Sequence, residues 1–344
     1  MAPETNLPVI CCWGEILLRL SPSVDDRWLE EAQLPVYLGG AELNVSQALR
    51  GWGLQPRYVS ALPANAMSRS IRYHLEKKGI DIRFLLEGGE RIGIYYLTQG
   101  RDLQHAAVAY DRRHSSFAGW QPGTIPWNDV LENARWFHFS AISPALGAPV
   151  LANCREALKA ATQKDITVSV DLNYRARLWE NGPDPKTVMP ELVAYCDVLM
   201  GNIWSANSLL GIEVAPGLQA GSSVADYLAA SAGSAEILFQ RFPRLRILAN
   251  TFRFEQGSGV QYFASLHTRE AQFVSPVFET ASVIDKVGSG DCFMAGLIRQ
   301  LVTGKEPQET ISFAAAAAFG KLQERGDATR QTVQQVEDTL KKYA

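Results

Sequence analysis

The sequence predicts an α/β protein built on a mostly parallel sheet with helices on both faces. Three observations point there. Short apolar runs alternate with helical patterns along almost the whole chain. The runs are apolar at consecutive positions, as strands covered on both faces are. With 344 residues, 47% of them hydrophobic and 20% charged, the chain can bury a large core. No long linker divides it, so one domain over residues 1–344 is expected.

The elements follow in order. PVICCWG (8–14) reads as a strand and AELNVSQALRGWG (41–53) as a helix. The pair recurs as PRYVSAL (56–62) with MSRSIRYHLEKKG (67–79), RWFHFSAI (135–142) with VLANCREALKAATQK (150–164), and ITVSVDLN (166–173) with VMPELVAYC (188–196). Repeated βα units build a parallel sheet. DVLM (197–200) and RILAN (246–250) are further buried strands, and RFEQGSGVQYFAS (253–265) reads as a hairpin. Two regions break the rhythm. PVYLGG (35–40), and RIGIYYLTQG with HAAVAYDR (91–112), read as strands without an intervening helix, the last two joined by the polar turn GRDLQ (100–104). They predict a small antiparallel element, formed by about 16–40 and 91–113, projecting from the main sheet as a discontinuous β-lid. Further on, VID (283–285) reads as a strand end and CFMAGLIRQLVTG (292–304) as a buried helix stopped by Gly304, with Pro307 beyond. AAAAA (314–318) lies in another helical pattern, where small side chains permit close packing.

A net charge of −3 gives no electrostatic footprint for nucleic acid or a membrane surface. The five cysteines (Cys11, Cys12, Cys154, Cys196, Cys292) are scattered in apolar contexts without disulfide or zinc spacing, which predicts reduced core thiols in a cytoplasmic protein. MAPETNLP has neither a basic region nor a long apolar run, so secretion and membrane spanning are not expected.

The chemistry concentrates at VGSGD. A helix start leaves backbone N–H groups unpaired and partly positive, and glycines let an anion approach them, so Gly288, Ser289 and Gly290 form a candidate anion cradle. Asp291, at the same helix end, would face whatever binds there. A carboxylate beside an anion cradle suits phosphoryl transfer: it takes the proton of an attacking alcohol while the amides stabilise charge on the moving phosphate. No GK[ST] follows the glycines, so this is not a Walker A loop. A second motif is LGGAELNVSQALRGWG (38–53), in which Gly39 and Gly40 admit a ligand close to the backbone. Asn44, one turn into the helix, offers a donor and an acceptor to a sugar hydroxyl.

Together GGAELN and DKVGSGDCF resemble the two signature regions of the ribokinase/PfkB family of carbohydrate kinases, and the order and spacing of the βα units extend the likeness over most of the chain. The resemblance implies a ribokinase-like three-layer α/β/α sandwich with a small β-lid, ATP and Mg²⁺ as cofactors, and a sugar hydroxyl as acceptor. It implies Asp291 as catalytic base, Gly288, Ser289 and Gly290 as anion hole, Gly39, Gly40 and Asn44 as sugar contacts, and Asp285 as an indirect organiser of metal through water. GIYYLTQG, VAYDRRHSSFA and VDLNYRARLW are similar to segments of 2-keto-3-deoxygluconate kinases, which implies Tyr95, Tyr110, Arg112, Asn173 and Arg175 as contacts to a sugar acid. Strand alternation agrees in placing Tyr110 and Arg112 on one face, and arginine grips a carboxylate through two parallel N–H bonds. For the nucleotide the resemblance implies Asn202, Thr251 and Arg253, and Gly326 at a turn near the adenine. One departure is plain: after DVLMG the chain has NIWSANS, keeping Asn202 but lacking the acids that help with phosphate and magnesium in the family.

The expected function is therefore ATP-dependent phosphorylation of the 6-hydroxyl of 2-keto-3-deoxygluconate. The alternatives are a kinase of a neutral sugar (fructose or ribose) and a catalytically weakened sugar-acid-binding protein. A homodimer is expected from the family likeness and from the commonness of twofold assemblies.

Overall fold

In the strand Val9–Trp13 (β1), successive side chains go to opposite hydrophobic clusters: Ile10 and Cys12 to one, Cys11 and Trp13 to the other. This is why its apolar run is unbroken, since a strand covered on both faces has no solvent side. The same division splits Val198 and Met200 from Leu199 further along. The computed structural model describes residues 8–23, 28–30, 32–98, 108–180, 182–219, 221–257 and 259–343.

From β1 the chain passes through β2 (Leu17–Leu20), β3 (Val36–Gly39), α1 (Ala41–Gly51), β4 (Gln55–Leu62), α2 (Ala66–Lys77), β5 (Leu85–Glu87), β6 (Gly93–Tyr96), β7 (Ala109–Asp111) and the short α3 (Trp127–Val130). Three strand–helix repeats follow: β8 (Ala134–Ser140) with α4 (Ala148–Gln163); β9 (Thr167–Asp171) with α5 (Ala176–Trp179) and α6 (Pro185–Val193); β10 (Val198–Gly201) with α7 (Ile203–Leu210) and α8 (Val224–Arg241). Next come the hairpin β11 (Ile247–Gln256) and β12 (Gly259–His267), the short β13 (Gln272–Val274) and β14 (Phe278–Thr280), and the helices α9 (Ser289–Val302), α10 (Pro307–Lys321) and α11 (Val333–Lys341).

The main sheet has the order β13-β12-β11-β10-β9-β8-β1-β4-β5, with β14 also paired to β12. From β5 to β11 every pairing is parallel, and only the β12 side is antiparallel. Helices α1, α2, α9, α10 and α11 pack with one cluster, and α3, α4, α6, α7 and α8 with the other, giving three layers. The order reverses at β1: the chain first adds β4 and β5 on one side, then β8 to β12 on the other. Open α/β sheets bind ligands beyond the carboxyl ends of the strands at such a switch point.

A second sheet, β3-β2-β6-β7, comes from the two early stretches. It is not purely antiparallel as expected, because β2 pairs β6 in parallel while β3 and β7 run antiparallel to their neighbours. The GRDLQ turn lies outside the described residues. VID is not a strand end either. β14 stops at Thr280, and the N–H groups of Ile284 and Asp285 both go to the Leu322 carbonyl instead of a ladder. The eighteen-residue α8 has no counterpart in the sequence-based assignment, although Ser223 and Asp226 form a capping box that marks its start. All five cysteines are buried and outside disulfides. Among the described residues no helix is long and apolar enough to cross a membrane.

Candidate active site

A cleft of about 560 Å³ opens beyond the carboxyl ends of β8 to β11, walled on the far side by the small sheet. Helix α9 points its N-terminus into it, and Gly288, Ser289, Gly290 and Asp291 all line the cleft. Gly288 is the N-cap with φ 78°, a left-handed conformation, and the Asp327 carbonyl leaves no space for a side chain on its α-carbon. Ser289 turns its hydroxyl away to the Ala318 carbonyl at 3.0 Å, so it offers its backbone N–H to the cleft. Behind this start the helix is buried through Cys292, Phe293, Met294, Leu297 and Ile298, which fixes its direction.

Asp291 is 8% exposed. Burial pushes its carboxyl up to about 8, against a hydrogen bond from Asn44; the nearby carboxylates of Asp171 and Glu42 push the same way, and Arg175 opposes them. Asn44 Nδ2 donates to Asp291 Oδ2 at 2.7 Å, and its Oδ1 is buried without a hydrogen-bond partner. An unpaired acceptor beside a basic carboxylate is what an incoming hydroxyl would satisfy. Asp171, at the end of β9, was not assigned from the sequence. It lines the cleft, and burial lifts it to about 6, opposed by Asn173, whose N–H and Nδ2 donate at 3.0 and 3.3 Å, and by Arg175. Its position was legible only as a polar residue closing a buried strand.

Gly40, Tyr95, Tyr110, Arg112, Asn173 and Arg175 also line the cleft, so most of the expected sugar contacts are brought together. Besides Asn173, held by Asp171, two of them are already engaged. Tyr95 donates its hydroxyl to Asp327 Oδ2 at 2.9 Å. Arg112 directs Nε and Nη2 at one oxygen of the buried Glu15, Nε at 2.8 Å, and Ser115 donates to the other oxygen. Asn202, Thr251 and Arg253 line the opposite wall with Trp204, Ser205, Ser208 and Lys286. Asn202 caps α7 by accepting the Ser205 N–H at 2.8 Å, and Lys286 pairs with Glu255.

Three expected positions are not part of the cleft lining. Gly39 faces the Asp327 carboxylate. Gly326, with φ 95°, donates its N–H to Asp285 at 3.1 Å. Asp285 is paired with Arg19 at 2.7 Å and accepts the Val287 N–H at 3.0 Å, so its carboxylate is occupied away from the cleft.

The sequence matches the pfkB family carbohydrate kinases over residues 8–333. The chain belongs to this family. Among its structural relatives is the 2-dehydro-3-deoxygluconokinase of Thermotoga maritima, with 33% identity, a TM-score of 0.88, and 97% of this chain and 98% of that one covered. A 2-dehydro-3-deoxygalactonokinase of Haloferax volcanii is 28% identical, over 96% of this chain and 95% of its own length. The fructokinase of Xylella fastidiosa, solved with bound ATP, shares the fold at 19% identity and a TM-score of 0.75, covering 97% and 98% of the two chains. This pfkB kinase thus has the ribokinase-like α/β architecture, with its cleft beyond the carboxyl ends of the parallel strands.

Magnesium finds no prepared cage in this pfkB kinase. Among the described residues no group of three or more His, Cys, Asp or Glu is placed to hold a metal ion. The wall from Asn202 to Ser208 offers amide, indole and hydroxyls where the resemblance puts acids. A Mg²⁺ ion here would keep its ligands from water and nucleotide phosphates, which that ion tolerates.

Proposed function

We propose that this kinase transfers the γ-phosphoryl group of ATP to the terminal 6-hydroxyl of a 2-keto-3-deoxy sugar acid, the gluconate or the corresponding galactonate. The observation that supports it is the meeting, in one cleft, of the Asp291–Asn44 pair at the start of α9 with Tyr95, Tyr110, Arg112 and Arg175. The hydroxyl proton passes to Asp291, the oxygen bonds to the γ-phosphorus, and the bond from that phosphorus to the β,γ-bridging oxygen breaks, releasing ADP. The N–H groups at Gly288, Ser289 and Gly290 stabilise the charge on the moving phosphoryl oxygens. Arg253 and Thr251, which line the cleft from β11, would reach the nucleotide phosphates, and the turn at Gly326, outside the cleft lining, would border the adenine. Closure of the small sheet over the cleft excludes water, so that ATP meets the sugar and not a hydroxide. The working assembly is a homodimer.

The test is a coupled ADP-release screen across sugars and sugar acids. Asp291→Asn should bind both substrates by calorimetry and lose about 10²–10⁴-fold in kcat, the range of general-base catalysis; near-normal turnover would refute the base. Arg175→Ala should raise KM for the sugar acid by about 10–100-fold, the loss of a charge-assisted hydrogen bond, and leave a neutral sugar untouched. One observation favours a second reading: Glu15 neutralises Arg112, so the cleft has less positive charge for a carboxylate than its arginine count suggests. Fructose or ribose turned over faster than any sugar acid, and indifferent to Arg175→Ala, would select that reading. Binding without any ADP release would return the chain to a sugar-acid-binding protein.

A further inference from the structure

We infer that Arg19, on strand β2 of the small sheet, is a positioning residue for the phosphate cradle: its guanidinium staples the small sheet to the two loops that set Gly288, and turnover depends on that fork. The inference rests on the phosphoryl-transfer reading above.

Arg19 is 2% exposed. Its Nη2 lies 2.7 Å from Asp285 Oδ2 and its Nη1 3.4 Å from Oδ1. Its Nε lies 2.9 Å from Asp327 Oδ1, an ion-pair approach without hydrogen-bond alignment. Tyr37, on the neighbouring β3, covers the guanidinium at 4.4 Å from ring centroid to Cζ. One planar group thus spans two carboxylates from separate loops.

Both carboxylates hold backbone around the cradle. Asp285 accepts N–H bonds from Val287 and Gly326, joining the segment before α9 to the loop after α10. Asp327 accepts the Tyr95 hydroxyl from β6, and its carbonyl packs against the α-carbon of Gly288. Another buried cation, Lys321, feels the charge of both carboxylates but donates its hydrogen bond to the Glu324 carbonyl at 3.1 Å. Among the described residues Arg19 is the cation that forms ion pairs with both carboxylates. Without it, Lys321 is left as the buried cation near the two carboxylates, and an ammonium that donates to the Glu324 carbonyl does not bridge them, so the two loops lose their shared tie. The cradle and the sugar wall would then move apart, and Asp291, three residues beyond Gly288, would move with the cradle.

Arg19→Lys is the decisive variant, because it keeps the charge while an ammonium is a point donor that serves one carboxylate and not both. With folding checked by circular dichroism, kcat should fall on the order of 10²-fold, the penalty of a displacement of about 1 Å at a reacting centre. Sugar affinity, measured by calorimetry without nucleotide, should stay at the wild-type value. In Arg19→Ala, added guanidinium ion should restore part of kcat, and the same concentration of ammonium should not. A folded Arg19→Lys with wild-type kcat, or a loss confined to sugar binding, overturns the inference. If the wild-type protein phosphorylates nothing in the screen, the kinase reading of this cleft fails by itself. ATP calorimetry then decides the role of Arg19: weaker ATP binding in Arg19→Lys supports the staple, and equal binding overturns it.

Discussion

Asp291 owes its chemistry to neighbours that are remote in sequence. A carboxyl held near 8 is a stronger base than an exposed aspartate, but it is protonated over much of the neutral range. The proposed base must be ionised, so kcat/KM should fall as pH drops below about 8. Asp171 is one of the like charges that raise it. Asp171→Asn should therefore move the acidic limb of the kcat/KM profile to lower pH, and Glu42→Gln should move it the same way by less. A limb that stays in place in Asp171→Asn would show that the Asp171 charge does not raise the Asp291 pKa. At the same scale, Glu15 decides how much of Arg112 remains for a substrate. Its carboxylate takes two donors of the guanidinium, which leaves Arg175 the cleft arginine whose loss should discriminate acid from neutral sugars.

Helices α9 and α10 form one packed unit that aims the cradle. Gly296 sits where an added Cβ would lie 2.8 Å from the Ala314 α-carbon, so the two backbones approach more closely than any side chain at 296 allows. Ala314 to Ala318 are all fully buried, and this is the close packing their small size predicted. Gly296→Ala should lower stability by about 1–3 kcal/mol through overpacking. Thermal denaturation would read this as a drop of several degrees, with kcat falling as well because α9 carries the cradle. An unchanged melting temperature would mean that the helices can separate freely. The start of α9 is legible in VGSGD, whereas its close approach to α10 shows only as an unexplained glycine in a helix and a run of alanines one helix later.

At the scale of the molecule, the buried carboxyls in and behind the cleft store destabilising charge. Asp291, Glu42 and Asp171 are held at about 8, 7 and 6, each raised first by burial. The folded state therefore binds more protons than the unfolded state between the ordinary carboxylate range and about 8. Their contribution to stability is complete below the unfolded pKa and is lost as pH rises through the folded values. Asp81 acts oppositely: its hydrogen bonds with Arg83 and Arg57 outweigh its partial burial and hold it near 2, so its contribution is lost only as pH falls through that value. Melting temperatures should thus decline from about pH 5 to pH 9. Asp291→Asn should flatten the decline and be the more stable protein at pH 9, a stability gained at the expense of the base. Equal slopes for the two proteins would rule out a buried, proton-holding Asp291.

What depends on neighbours along the chain was legible in the sequence. Two-faced strands, βα alternation, the glycine-opened helix at 288–291 and the strand-rich interruptions at 35–40 and 91–112 are all patterns within a few residues, set by backbone geometry and side-chain periodicity. Most of the cleft residues were legible for the same reason, since they lie in short motifs at strand ends. Which charges meet was settled by the three-dimensional packing. It brought Asp171 from β9 and Glu42 from α1 toward Asp291, gave Glu15 to Arg112, turned Asp285 to Arg19, and set β2 parallel to β6. Desolvation and ion pairing act between groups brought together from distant parts of the chain, and a one-dimensional pattern carries no record of those distances.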